Sequence, residues 1–81
     1  MKYFVYILKC SDNTLYTGIT TNIKRRVNEH NNDDNLGSKY TRARRPVKLV
    51  YSTKFHDRSS ASKEELRIKQ LSRKEKEKLI Y

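Results

Sequence analysis

Four side chains stand out as capable of chemistry together: Tyr6, Tyr16, Arg26 ten residues after the second tyrosine, and Glu65. A guanidinium presents a planar fork that grips a pair of phosphate oxygens, a task lysine fills less well. A single carboxylate suits Mg²⁺, which prefers few carboxylates and keeps several waters. A phenol titrates near pH ~10 when unperturbed, so it serves as a base only where a cation, a metal or a hydrogen bond favours its anion. Together these are the parts needed to deprotonate a nucleophile, hold a phosphate and carry one divalent ion. They point to phosphodiester cleavage.

Each residue also has a plainer reading. The chain holds six tyrosines, and any one of them could simply fill a core or its rim. Arg26 could pair with Glu64 or Glu65 inside the fold, and Glu65 could complete a capping box over Ser62-Lys63-Glu64-Glu65. Helical phase does not choose between Glu64 and Glu65. His30 divides evenly between a catalytic helper and a hydrogen-bonded structural residue, and His56, in a polar loop, reads as neither.

The elements that must position these groups can be read from periodicity. Residues 3–8 are continuously apolar or aromatic, and Ser11-Asp12-Asn13 separates them from Leu15-Tyr16-Thr17-Gly18-Ile19, which predicts a β-hairpin. A three-residue loop sets Leu8 against Tyr16 and Tyr6 against Gly18, with both tyrosines on one face. Gly18, which weakens a strand interior, marks a close approach to the backbone. Thr21 or Asn22 can cap the next helix, whose inward stripe is Ile23, Arg26, Val27 and His30. An inward arginine needs a carboxylate of the fold or a phosphate from outside.

The run from Asn31 to Ser38 is turn chemistry and predicts an exposed loop. Val47 to Tyr51 alternates as a third strand. From Ser59 onward the chain reads as helix, with Ala61, Leu66, Ile68 and Leu71 as its apolar stripe, and Ser72-Arg73-Lys74-Glu75 opens a last short helix ending near Ile80. The order is ββαβαα. The expectation is one α+β domain over residues 1–81, a small three-stranded mixed or antiparallel sheet flanked by helices.

Nineteen Lys and Arg against nine Asp and Glu leave a net charge of +10, which makes a polyanion the expected partner. Nucleic acid fits better than a membrane, because no stretch approaches the ~20 consecutive apolar residues of a spanning helix. The start of the chain lacks a cleavage-site pattern, and a cytoplasmic protein is expected. Cys10, the one cysteine, excludes an internal disulfide and reads as a small buried hydrophobe. Lys39, Tyr40, Arg42, Arg44 and Arg45 form a basic run with an aromatic inside it, the expected nucleic-acid contact. The lysines after residue 63 read equally as a solvated helix face.

Val5-Tyr6-Ile7, Tyr16-Thr17-Gly18 and Arg26 resemble the GIY-YIG nuclease superfamily. Lys39-Tyr40-Thr41-Arg42, Arg45-Pro46-Val47-Lys48-Leu49-Val50-Tyr51 and the series Ala61, Glu65, Ile68-Lys69, Leu71 resemble its small stand-alone bacterial members. The resemblance implies hydrolysis of nucleic acid with one divalent ion, Mg²⁺ or Mn²⁺. It implies Tyr6 as the general base or its orienting group, Tyr16 as the second-motif tyrosine, Arg26 on the phosphate, Glu65 as metal ligand and His30 beside the reacting groups. The first motif here lacks its naming glycine, reading Phe4-Val5-Tyr6, and Thr17 stands where isoleucine is usual. No asparagine follows Asn35, and no appended DNA-reading domain is expected. The leading expectation is a metal-dependent endonuclease acting on structured or repair-related DNA, with DNA favoured over RNA and a protein partner for targeting. The alternative is a nucleic-acid-binding module that keeps the fold without turnover.

Overall fold

In the computed structural model, which describes residues 2–80, the strands are β1 (Tyr3–Lys9), β2 (Leu15–Thr20) and β3 (Lys48–Phe55). Met1 and Tyr81, the ends of the expected domain, lie outside the described residues. The three strands form one antiparallel sheet in the order β2-β1-β3. Helices α1 (Ile23–Asn32) and α2 (Lys39–Arg42) follow β2, and α3 (Arg58–Lys69) and α4 (Arg73–Ile80) follow β3.

The hairpin forms as its turn residues dictate. Cys10 N–H donates to the Thr14 carbonyl at 2.9 Å, leaving Ser11-Asp12-Asn13 as a three-residue loop. Asn13 takes the left-handed φ of 69° that such a loop needs and that asparagine tolerates. The register then pairs Tyr6 with Gly18 and Leu8 with Tyr16, as expected. Between Ile7 and Leu8 the pairing with β3 slips by one residue, so Val50 is a bulge.

β1 is apolar throughout because both its faces are covered. Val5 and Ile7 pack with Ala61 and Ile68 on one face, while Tyr6 and Leu8 pack with Cys10 and Val47 on the other, where Val27 of α1 lies. The sheet therefore separates an α3 side, built on Val5, Ile7, Ala61 and Ile68 with Thr17 buried opposite Ile7, from an α1 side that contains a phenol.

Three differences from the expected pattern have physical causes. The order becomes ββααβαα, because Ser38 caps a one-turn helix by accepting from Thr41 N–H; four residues are too few to show a periodic stripe. β3 extends beyond Tyr51 to Phe55, and α3 begins at Arg58, where Asp57 accepts from Ser60 N–H at 2.7 Å. Leu66, expected on the inward stripe, is 58% exposed.

Candidate active site

Tyr6 points from β1 toward α1 and is 1% exposed. A Cβ at Gly18 would run into its hydroxyl and ring, so the close approach marked by that glycine is the phenol itself. The Tyr6 hydroxyl lies 2.8 Å from His30 Nε2. On the far side of the imidazole, Nδ1 is 2.8 Å from Oγ1 of Thr41, a residue as fully buried as His30. Thr41 Oγ1 has the Ser38 carbonyl within reach at 3.2 Å as the acceptor for its own proton. Thr41 Oγ1 also meets Ser38 Oγ at 2.9 Å, and the Ser38 amide lies 3.5 Å from Nδ1. The tautomer with its proton on Nδ1 is the one that leaves Nε2 to accept from Tyr6.

The electrostatics follow from burial. His30 is pushed down to about 4, first by loss of solvent and then by the Arg26 charge, so the imidazole is neutral near pH 7. Tyr6 is pushed up to about 12, again first by burial, while the Arg26 guanidinium works in the opposite direction. Tyr16 and the Glu65 carboxylate add to the rise. A resident phenolate is thus disfavoured, and so is an imidazolium beside it.

Asn22, not Thr21, caps α1, accepting from Arg25 N–H at 3.0 Å. The cap sets the helical phase that turns Arg26 and His30 inward. Arg26 bonds Glu29 Oε1 at 2.9 Å and the Leu36 carbonyl. Its ion-pair partner is therefore Glu29, one turn along its own helix, rather than Glu64 or Glu65.

The two acids of α3 are used differently. Glu64 is clamped by Arg67 through two bonds of 2.7 Å, whereas Glu65 meets only Lys69, at 3.6 Å. Because α3 starts at Arg58, Glu65 lies well inside the helix and caps nothing. Among the described residues no group of three or more His, Cys, Asp or Glu could hold a metal ion. The donor available is one loosely paired carboxylate, which fits a hard ion that retains its waters.

Tyr16 stands edge-on to His30, with ring centroids 5.3 Å apart, and stacks on Tyr40 at 5.8 Å. Arg44 lies over the Tyr40 ring at 3.9 Å and bonds Asp12 at 3.0 Å. A base that stacked on Tyr40 would thus compete with Tyr16 or Arg44. Arg45 staples the end of α1 by donating to the carbonyls of His30 and Asp33 and to the Asp34 carboxylate. Arg42 reaches the Asp34 carbonyl, and Lys39 is exposed. The fold thus gathers Tyr6, Tyr16, Arg26 and His30 with Glu65 in electrostatic range, reaches Tyr40 and Arg44 through ring contacts, and leaves Lys39 and Arg42 on the surface. The sequence reading missed Thr41, Ser38 and Glu29. Ser38, a residue type that caps helices, is a signal for itself and for Thr41 three positions on; nothing in the spacing marks Glu29.

The family model described as the GIY-YIG catalytic domain matches residues 2–78. The chain belongs to the GIY-YIG family. A UPF0213 protein of Desulfotalea psychrophila is 59% identical over 78 residues, 96% of this chain and 70% of the relative. The solution NMR structure of the E. faecalis protein EF2693 superposes with a TM-score of 0.66 at 44% identity, covering 96% of this chain and 81% of that one. The NMR structure of a UPF0213 protein from Bacillus halodurans gives 0.63 at 42% identity, covering 99% and 83%. GIY-YIG domains are nuclease domains that act on nucleic acid and generally use a divalent metal. Among the described residues of this GIY-YIG chain no helix is long and apolar enough to cross a membrane.

Proposed function

We propose that this protein is a single-domain, cytoplasmic, metal-dependent endonuclease that hydrolyses phosphodiester bonds in structured or repair-related DNA, using Mg²⁺ or Mn²⁺. The observation that carries the reading is the buried Tyr6–His30 hydrogen bond, with Arg26 close enough to bias the phenol. A core tyrosine needs only some partner for its hydroxyl, whereas here the partner is an imidazole and a guanidinium stands beside the pair.

In this reading the attacking water gives its proton to the Tyr6 oxygen as the phenol passes its own to His30 Nε2. The relay forms no free phenolate, and the imidazolium it forms, which burial opposes as well, relies on the incoming phosphate for its counter-charge. Thr41 holds the imidazole in the accepting tautomer. Arg26 exchanges Glu29 for the phosphate and offsets charge growing on the nonbridging oxygens. Tyr16 packs against the imidazole and keeps it from rotating. Glu65 is the residue that would hold the ion, whose chemistry when bound is to stabilise charge on the phosphoryl and leaving oxygens.

The internal Arg26–Glu29 pair favours a second reading, a DNA-binding module whose guanidinium is structural. A cleavage assay separates the two. The purified protein is incubated with single-stranded, duplex and branched DNA, and with RNA, over a range of Mg²⁺ and Mn²⁺. Wild type is expected to cut branched DNA and Tyr6→Phe to bind without cutting. Cutting by Tyr6→Phe at the wild-type rate would remove Tyr6 from the chemistry, and binding without cutting by wild type would favour the module.

A further inference from the structure

At the end of the sheet where β1 begins and β2 ends, a cleft of about 280 Å³ opens against Arg26. Tyr3 and Ile19 form an apolar wall, Thr20, Thr21, Arg25 and Arg58 supply polar groups, and the acid on the lining, Glu29, is taken up by Arg26 at 2.9 Å and Arg25 at 3.5 Å. We propose that this cleft seats the sugar and phosphate of the nucleotide flanking the scissile bond, with Arg58 and Arg25 as the anion partners. The proposal rests on the nuclease reading above and adds where the strand runs.

Arg58 carries the argument furthest. It is exposed and forms no hydrogen bond or ion pair among the described residues. By contrast Arg26, Arg42, Arg44, Arg45, Arg67 and Arg73 all bond protein oxygens. Arg25 has only a 3.5 Å contact to Glu29 and a side chain that is 57% exposed, so it can turn to a ligand at little cost. The first turns of α1 and α3 contain no acid. Cations placed there oppose the helix dipole, a local cost that an anion seated between them would offset.

Geometry makes the anion a neighbouring phosphate. Arg58, Ala61, Glu65 and Ile68 fall at i, i+3, i+7 and i+10, one stripe of α3 whose Ala61 and Ile68 are buried. Arg58 and Glu65 are then separated by about 10 Å along the helix axis. An arginine two turns from the metal-holding acid is too far to share its phosphate, while Arg26 touches both the cleft and the Tyr6 site.

The test uses a fluorescein-labelled branched DNA in metal-free buffer, so that binding is read without cutting, with a neutral methylphosphonate placed at each backbone position near the branch in turn. For wild type, one position beside the cut site should weaken binding. Arg58→Ala should lower the slope of log affinity against log salt by about 0.9 and abolish the effect of that one methylphosphonate. Arg58→Lys should keep the salt slope. An unchanged slope and an unchanged methylphosphonate profile in Arg58→Ala would overturn the subsite. Cleavage of the unmodified DNA by wild type with Mg²⁺ is scored separately. Coupling without cleavage supports the subsite and rejects the nuclease, and cleavage without coupling does the reverse.

Discussion

His30 makes the site sensitive to acid through stability as well as through chemistry. Its folded value of about 4 lies below the ordinary 6.5, so the unfolded chain binds the proton first and stability rises with pH across that interval. The contribution is whole above pH 6.5 and is lost as pH falls through 4, at a cost of order 2–3 kcal/mol. Urea unfolding at pH 7, 6, 5 and 4 should show this slope in wild type and a much flatter one in His30→Gln. Asp12, Asp57, Glu64 and Glu75, held low by their hydrogen bonds, begin to lose their own contributions only below the ordinary carboxylate values of 3.8 and 4.5, so the slope between pH 7 and 5 belongs to His30. Equal slopes in both proteins would mean that the buried imidazole is solvated more readily than its full burial implies. A protonated His30 also cannot accept from Tyr6, so cleavage by the folded protein should fall only as pH approaches 4.

At the scale of elements, α3 shows how a helix register selects between adjacent acids. Glu64→Gln breaks the Arg67 clamp on a solvent-facing surface and should lower stability by only about 0.5 kcal/mol, leaving cleavage intact. Glu65→Gln should leave the melting temperature unchanged and abolish cleavage while DNA is still bound. If Glu64→Gln is the inactive variant instead, Glu65 is not the metal-holding acid. The hairpin register was legible in the sequence on the three-residue reading of Ser11-Asp12-Asn13, a two-residue loop being the alternative, and Gly18 marked a close approach that proves to be the Tyr6 ring. The inward phase of Arg26 and His30 was legible from the cap and the stripe. The start of α3 was obscured because Ser62 to Glu65 imitates a cap that Asp57 provides. The partner of Arg26 was missed because a same-helix neighbour at i+3 leaves no long-range signal. The Thr41–His30–Tyr6 chain joins three elements, and no spacing along the sequence encodes it.

Across the whole molecule, the net charge of +10 separates into residues that hold the fold together and residues free to meet a polyanion. Arg45 belongs to the first group, and Arg45→Ala should cost about 1–3 kcal/mol by leaving the carbonyls of His30 and Asp33 without their donor. For a domain of this size that is a fall of roughly 4–8 °C in melting temperature per kcal/mol. Lys39 is in the second group. Lys39→Ala should leave melting unchanged and reduce the salt slope of DNA binding by about 0.9 if α2 lies on the strand's path. An unchanged slope for Lys39→Ala would take α2 off the strand's path.

The strand order has a consequence for how the protein comes into being. β1 is the first strand to leave the ribosome, yet one of its two edges waits for β3, which ends at Phe55. Pairing across so long a separation is slow to form compared with the local hairpin. Tyr6, Tyr16, Arg26 and His30 are thus all synthesised before the sheet that fixes them can close, and Glu65 emerges later still. A nascent chain in this state carries its phosphate-gripping arginine before either the sheet that aims it or the acid that completes the site.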